Sequence, residues 1–270
     1  FCFDHQAENA IDPIDLVTVK ITLQDVAFID CNSKNHVGKL VISKSDTRYI
    51  HHINIICTII TSLFVNNKSQ EPGRAIYAFN IDYVMTKQCN FVKNEARSGG
   101  AIYIENLTTL VQVDSVFVAN SADKNGGALY AKNIMQIVFI NVSFVENVAG
   151  KSGGALSLDI VKHTEIIFAT MTNNNAGYGG GVSMKHSSFV NISQTIFHNN
   201  VAQTKGGSIC SLKIQKLTVQ NSWLFDGKAK EGAGIYGEDN VLQYIFNCFI
   251  MNKNSKAIFG GGMYCWNIHG

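Results

Sequence analysis

Proline is nearly absent from this chain: only Pro13 and Pro72 occur in 270 residues. Neither sits in a Pro/Gly/Ser-rich stretch, so no linker divides the sequence and it reads as one architectural unit. An excess of either charge is also missing. The 22 basic and 20 acidic residues leave a net charge of +2, which provides no electrostatic footprint for nucleic acid or an anionic membrane. The longest apolar run, residues 53–65, is broken by Asn54, Thr58, Thr61 and Ser62 and falls short of the roughly 20 residues of a transmembrane helix. No Cys-x-x-Cys pair occurs among Cys2, Cys31, Cys57, Cys89, Cys210, Cys248 and Cys265, which removes the usual zinc spacing and specifies no disulfide pairing. The histidines share no common position and none pairs with a Cys or an acid at ligand spacing, so no metal and no cofactor is expected. The start at Phe1 lacks the charged segment and apolar run of a signal peptide, and fits a processed mature protein or a segment of a longer one.

What the chain does have is repetition. A Gly-Gly-small-apolar-Tyr unit begins at Gly73, Gly99, Gly126, Gly153, Gly179, Gly206, Gly232 and Gly260, an almost even series. A second unit runs in step, an aromatic residue or Met followed three residues later by Asn or Asp. It occurs at Phe64/Asn67, Phe91/Asn94, Phe117/Asn120, Phe144/Asn147, Met171/Asn174, Phe197/Asn200, Trp223/Asp226 and Phe249/Asn252. The step from each glycine to the next marker is constant from Gly73 and Phe91 to Gly179 and Phe197, then one shorter at Gly206 to Trp223 and Gly232 to Phe249. This period, with short β-branched runs and no amphipathic helical stretch, predicts an all-β fold: a right-handed parallel β-helix with one coil of about 26–28 residues per repeat and roughly 8–9 coils.

The pattern assigns positions within the coil. Ile76, Ile102, Leu129, Leu156, Val182, Ile209, Ile235 and Met263 face the core, and the aromatic column from Phe64 to Phe249 stacks inside. Asn67, Asn94, Asn120, Asn147, Asn174, Asn200 and Asn252 read as a buried ladder of side-chain amides bonded coil to coil, a structural role. Strand alternation places the residue after the core column outside, which makes Tyr77, Tyr103, Tyr130, Tyr236 and Tyr264 candidates for surface contact with sugar rings or a neighbouring molecule. Residues 1–16 read as an N-terminal lead-in or cap. Residues 17–270 form the β-helix, beginning with a coil marked by Phe28 and Gly38, carrying an irregular loop near 43–52, and ending part-way round a coil without a polar cap. Such an open end predicts continuation of the chain, or association with itself or another subunit.

Gly-Gly-Ala-Ile at 99–102, Gly-Gly-Ala-Leu at 126–129 and 153–156, and Phe-x-x-Asn at 91, 117, 144 and 197 resemble the paired repeats of chlamydial polymorphic outer membrane proteins. They are also similar to repeats of large pectin-lyase-like surface proteins of ciliates and other eukaryotes. The resemblance covers about residues 64–264, and it implies a secreted or cell-surface solenoid used for adhesion or as a scaffold. The alternative is a carbohydrate-active β-helix enzyme, a polysaccharide lyase or hydrolase, or a glycan-binding module.

No catalytic residue emerges. The signatures of a polygalacturonase-like site are missing: Arg48, Arg74 and Arg97 each lack the following Lys of Arg-x-Lys, and coil lengths are too uniform to wall a cleft. Glu105 and Asp159 occupy equivalent positions two coils apart, near the wide limit for an inverting glycosidase pair. However, the column reads Glu105, Lys132, Asp159, Lys185, which favours a ladder of opposite charges. Among four Asn-x-Ser/Thr sequons, Asn106, Asn141 and Asn191 are candidate glycosylation sites, Asn106 foremost because it follows a strand at a turn. Asn67 lies in the ladder and is a poor acceptor.

Overall fold

The computed structural model describes residues 17–31, 40–43, 53–69, 72–73, 75–252 and 257–268. Gly38, most of the 43–52 loop, the 1–16 lead-in and the last two residues lie outside them.

Among the described residues every strand pairing is parallel and no helix occurs. The chain winds as a parallel β-helix with three sheets for walls: a sheet of 14 strands, a sheet of nine and a sheet of five. A representative coil starts at the Gly99 turn and runs up the long strand Ile102–Val113. It then crosses a corner into the three-residue strand Val116–Val118, passes Asn120, and closes through Ser121–Ala122 to Gly126. The next coils place Leu129–Ile140 and Leu156–Ile167 on the same long-strand wall, with Ile102, Leu129 and Leu156 in register.

The markers follow from backbone chemistry. The first glycine of each pair has a left-handed backbone, φ +65° at Gly126, and a Cβ there would sit 2.2 Å from the carbonyl oxygen of Leu129. The second faces the next coil: a Cβ on Gly100 would fall 2.1 Å from the Gly127 carbonyl. The first glycine is therefore demanded by its φ, and the second is favoured by coil-to-coil approach, with Arg74 and the buried Ala233 the exceptions at that position.

The core is a stack of identical side chains. Phe28, Phe64, Phe91, Phe117 and Phe144 lie ring over ring at centroid distances of 5.0, 4.9, 4.5 and 4.9 Å. Alongside runs the asparagine column. Asn120 Nδ2 donates to Asn147 Oδ1 at 3.0 Å and to the Phe91 carbonyl at 2.9 Å, while its Oδ1 accepts from both the side chain and the backbone N–H of Asn94. Asn67, Asn94, Asn147 and Asn174 pass the same bonds along to Asn200. A fully buried amide is affordable here because all of its donors and acceptors are used.

The last two aromatic markers depart from this pattern. The register pairs Phe197 with Leu224 and Leu224 with Ile250. Leu224 and Ile250 therefore fill the inward position that the repeat assigns to Trp223 and Phe249, and those two rings stand on the outer face, 55% and 50% exposed. The step from glycine to inward residue is the same at Leu224 and Ile250 as in the earlier coils, so the two shorter steps to Trp223 and Phe249 mark this one-residue displacement. A shift of one residue along a strand turns a side chain to the opposite face. The asparagine column changes with it: Gly227 follows Leu224 by three residues and has no side chain, and Asn252, half-exposed, accepts from Gly227 N–H and donates to the Gly261 carbonyl.

Candidate functional site

The tyrosine column does not form an open platform. Tyr130 and Tyr236 are only 8% and 2% exposed, and Tyr77, Tyr103 and Tyr264 are half-buried. The expectation from strand alternation is corrected by the glycine turn, which folds back over this face. A Cβ on Gly73 would meet the Tyr103 Cβ at 2.5 Å, and one on Gly126 the Tyr130 nitrogen at 2.7 Å. The rings stack coil on coil, Tyr77 on Tyr103 at 5.3 Å and Tyr236 on Tyr264 at 5.6 Å. Their hydroxyls are spent locally, Tyr103 on Glu105 and Tyr236 on Glu238, each at 2.7 Å. Burial pushes the Tyr130 and Tyr236 phenols up to about 12.

The charged column beside the tyrosines is arranged in ion pairs. Lys132 Nζ lies 3.1 Å from Glu105, and Lys185 Nζ 3.4 Å from Asp159, with His186 Nδ1 at 3.3 Å from the same carboxylate. Two coils further, Lys205 bridges to Glu238 at 2.9 Å while lying 4.5 Å over the Tyr236 ring. Bonds from Lys205 and Tyr236 hold the Glu238 carboxyl below its ordinary range. Each candidate acid is thus engaged by a cation, and the two acids of the glycosidase comparison are separated in register by Lys132.

Among the sequon residues, Asn106 and Asn141 are exposed at left-handed positions, φ +56° and +53°. Asn106 lies within Ile102–Val113 rather than after it, bending the strand, and is bonded to Asn80 and Asn133. Asn141 donates to Asp114 at 2.8 Å. Asn191 is half-buried in Phe189–Ser193 and accepts from Gln220, and Asn67 is fully buried in the ladder.

The aromatic surface that the sequence reading missed lies on the outside of the nine-stranded sheet. Trp223, Phe225 and Phe249 form a triangle with centroid separations of 5.5, 6.0 and 5.8 Å and mutually inclined planes. His198 approaches Phe225 edge-on at 6.4 Å. At the corner before Trp223, Asn247 donates to Asn221, and at the corner beyond His198, Asn199 donates to Asn173 at 2.7 Å. Exposed rings are thereby bordered by amides on one side, and by an amide and the Asp226 carboxylate on the other. The shortened steps from Gly206 to Trp223 and from Gly232 to Phe249 were the available signal.

The fold and its markers define a class: a parallel β-helix whose coils are built from paired glycines and a Phe-x-x-Asn step. Residues 114–132 match the Chlamydia polymorphic membrane protein repeat, a repeat of outer-membrane and cell-surface proteins. The match takes in Phe117, Asn120 and Gly126–Gly127, the residues that set the inner stack, the ladder and the turn. No curated protein and no solved structure matches the chain.

Proposed function

We propose that this chain is a non-catalytic structural and adhesive solenoid of a cell surface or extracellular space. The observation that carries the reading is the unbroken register of the walls: from Ile76–Lys87 through Leu156–Ile167 each long strand pairs with the next along nearly its whole length. Such walls present long, flat, loop-free surfaces suited to contact with other surfaces. The salt-bridged state of Glu105 and Asp159 supports a structural use of those acids rather than acid–base work. The edge of Met263–Trp266, with the exposed Ile258 and Phe259 beside it, is the surface on which another coil or subunit would stack. Asn106 and Asn141 are the positions at which an attached glycan would clear the core.

The test is a panel of polysaccharides and cell surfaces scored for both retention and cleavage. Retention of the protein without release of reducing ends is the expected result. Release of reducing ends that disappears in Glu105→Gln or Asp159→Asn would overturn the reading in favour of a glycosidase.

A further inference from the structure

We propose that the outer face of the nine-stranded sheet, at Trp223, Phe225 and Phe249, is a binding platform for a neutral oligosaccharide. The proposal rests on the adhesive reading above and names a ligand class for it.

Folding does not require these rings outside. Leu224 and Ile250 continue the inner stack, and Trp223, flanked by Ile196 in one coil and Phe249 in the next, is still 55% exposed. An indole and two phenyl rings turned to water incur an unfavourable hydration cost that a ligand would relieve.

Composition selects the occupant. The outward positions of all nine strands, from Ala27 and Ile29 to Phe249 and Met251, contain no Lys, Arg, Asp or Glu. The left-handed corner residues on either side include five acids, Asp25, Asp30, Asp114, Glu146 and Asp226, against one base, Lys93. Of these, Asp226 is the one in the coils of the platform, directly after Phe225, and none of the left-handed corner residues on either side in those coils is a base that would attract an anionic membrane or an acidic glycan.

A second copy of the chain needs more surface than the strip supplies. Nine strands at about 4.8 Å and three residues of width give about 38 Å by about 10 Å, roughly 400 Å², against the roughly 800 Å² per partner of a standard stable interface. A slender, uncharged, hydroxyl-rich ligand fits both limits. Its C–H faces pack on the electron-rich faces of the rings, and its hydroxyls meet the amides of Asn221, Asn247 and Asn199 at the two borders.

The measurement is a fluorescence titration of the full chain carrying Trp266→Phe, which leaves Trp223 as the sole indole. The probes are cellohexaose, xylohexaose, mannohexaose and chitohexaose, with hexagalacturonate as the acidic control. A saturable change in Trp223 emission with at least one neutral hexasaccharide is expected. The affinity should fall about tenfold or more in Phe249→Ala, the scale of removing an aromatic anchor, and be retained in Phe249→Tyr, with circular dichroism unchanged in both. The proposal is overturned if no neutral hexasaccharide binds, or if Phe249→Ala binds as tightly as the parent. It is likewise overturned if Phe249→Ala instead abolishes a dimer seen by sedimentation or binding to phosphatidylcholine vesicles. Adhesion to cell surfaces that persists while no oligosaccharide binds would remove the platform and leave the adhesive reading standing; loss of adhesion altogether would remove that reading.

Discussion

At the residue scale, the buried amide ladder is the most exacting feature of this chain. Replacing Asn120 by Ala takes the acceptor away from the Asn94 backbone N–H and from one of its side-chain N–H bonds in the interior, while Asn147 Oδ1 keeps the backbone N–H of residue 120. Unsatisfied buried groups cost about 1–3 kcal/mol each, so the urea midpoint of Asn120→Ala should fall by the equivalent of about 2–4 kcal/mol. Asn106→Ala, whose amide bonds are exposed, should cost less, about 1 kcal/mol, for placing an alanine at φ +56°. Glu238 gives a pH dependence. Its carboxyl is depressed in the folded chain, so its contribution is fully present above the ordinary carboxylate value and disappears as pH falls through the depressed one. Urea midpoints followed downward from about pH 5 should therefore drop less in Glu238→Gln than in the parent. The ladder could be read from sequence because a recurring Asn at a core register has one way to be satisfied. The tyrosines could not, because alternation tells which face a side chain leaves from but not that a glycine turn covers that face.

At the element scale, the short strand Trp223–Phe225 tests how well the repeat motif reports register. The Phe-x-x-Asn spelling points to Trp223 and Phe249 as inward residues, whereas the pairing puts Leu224 and Ile250 there. Leu224→Ala should lower stability by about 2–5 kcal/mol, the cost of emptying a packed core position. Trp223→Ala should cost less than about 1 kcal/mol by urea titration, since an outward ring forfeits little packing. Gly126→Ala must place a Cβ at φ +65° and 2.2 Å from a carbonyl oxygen, so a loss of about 2 kcal/mol or more is expected in the same assay. The constant step from the turn glycine to the core position, as from Gly99 to Phe117 or Gly206 to Leu224, proved the firmer guide in these coils. It reflects a fixed backbone path, while the identity of the side chain that fills the stack is free to change among Phe, Met, Leu and Ile.

At the scale of the whole molecule, stability in a solenoid is a sum over coils and their neighbours. Strands with a coil on each side, such as Leu129–Ile140 and Leu156–Ile167, should therefore exchange their amide hydrogens more slowly than Val17–Gln24 or Met263–Trp266, which pair with one strand each among the described residues. Mass-spectrometric exchange resolved to peptides would show that gradient, and equal protection along the axis would contradict it. The architecture was legible in the period of the sequence because one motif is written once per coil. Function was less so, since uniform coils leave it to outward residues, which the repeat constrains least. The most direct measurement of the account is acrylamide quenching of Trp223 in the Trp266→Phe chain. The outward register predicts quenching in the native state nearly as efficient as in urea. A protected indole released only on unfolding would return Trp223 to the inner stack, and with it dissolve the exposed aromatic platform.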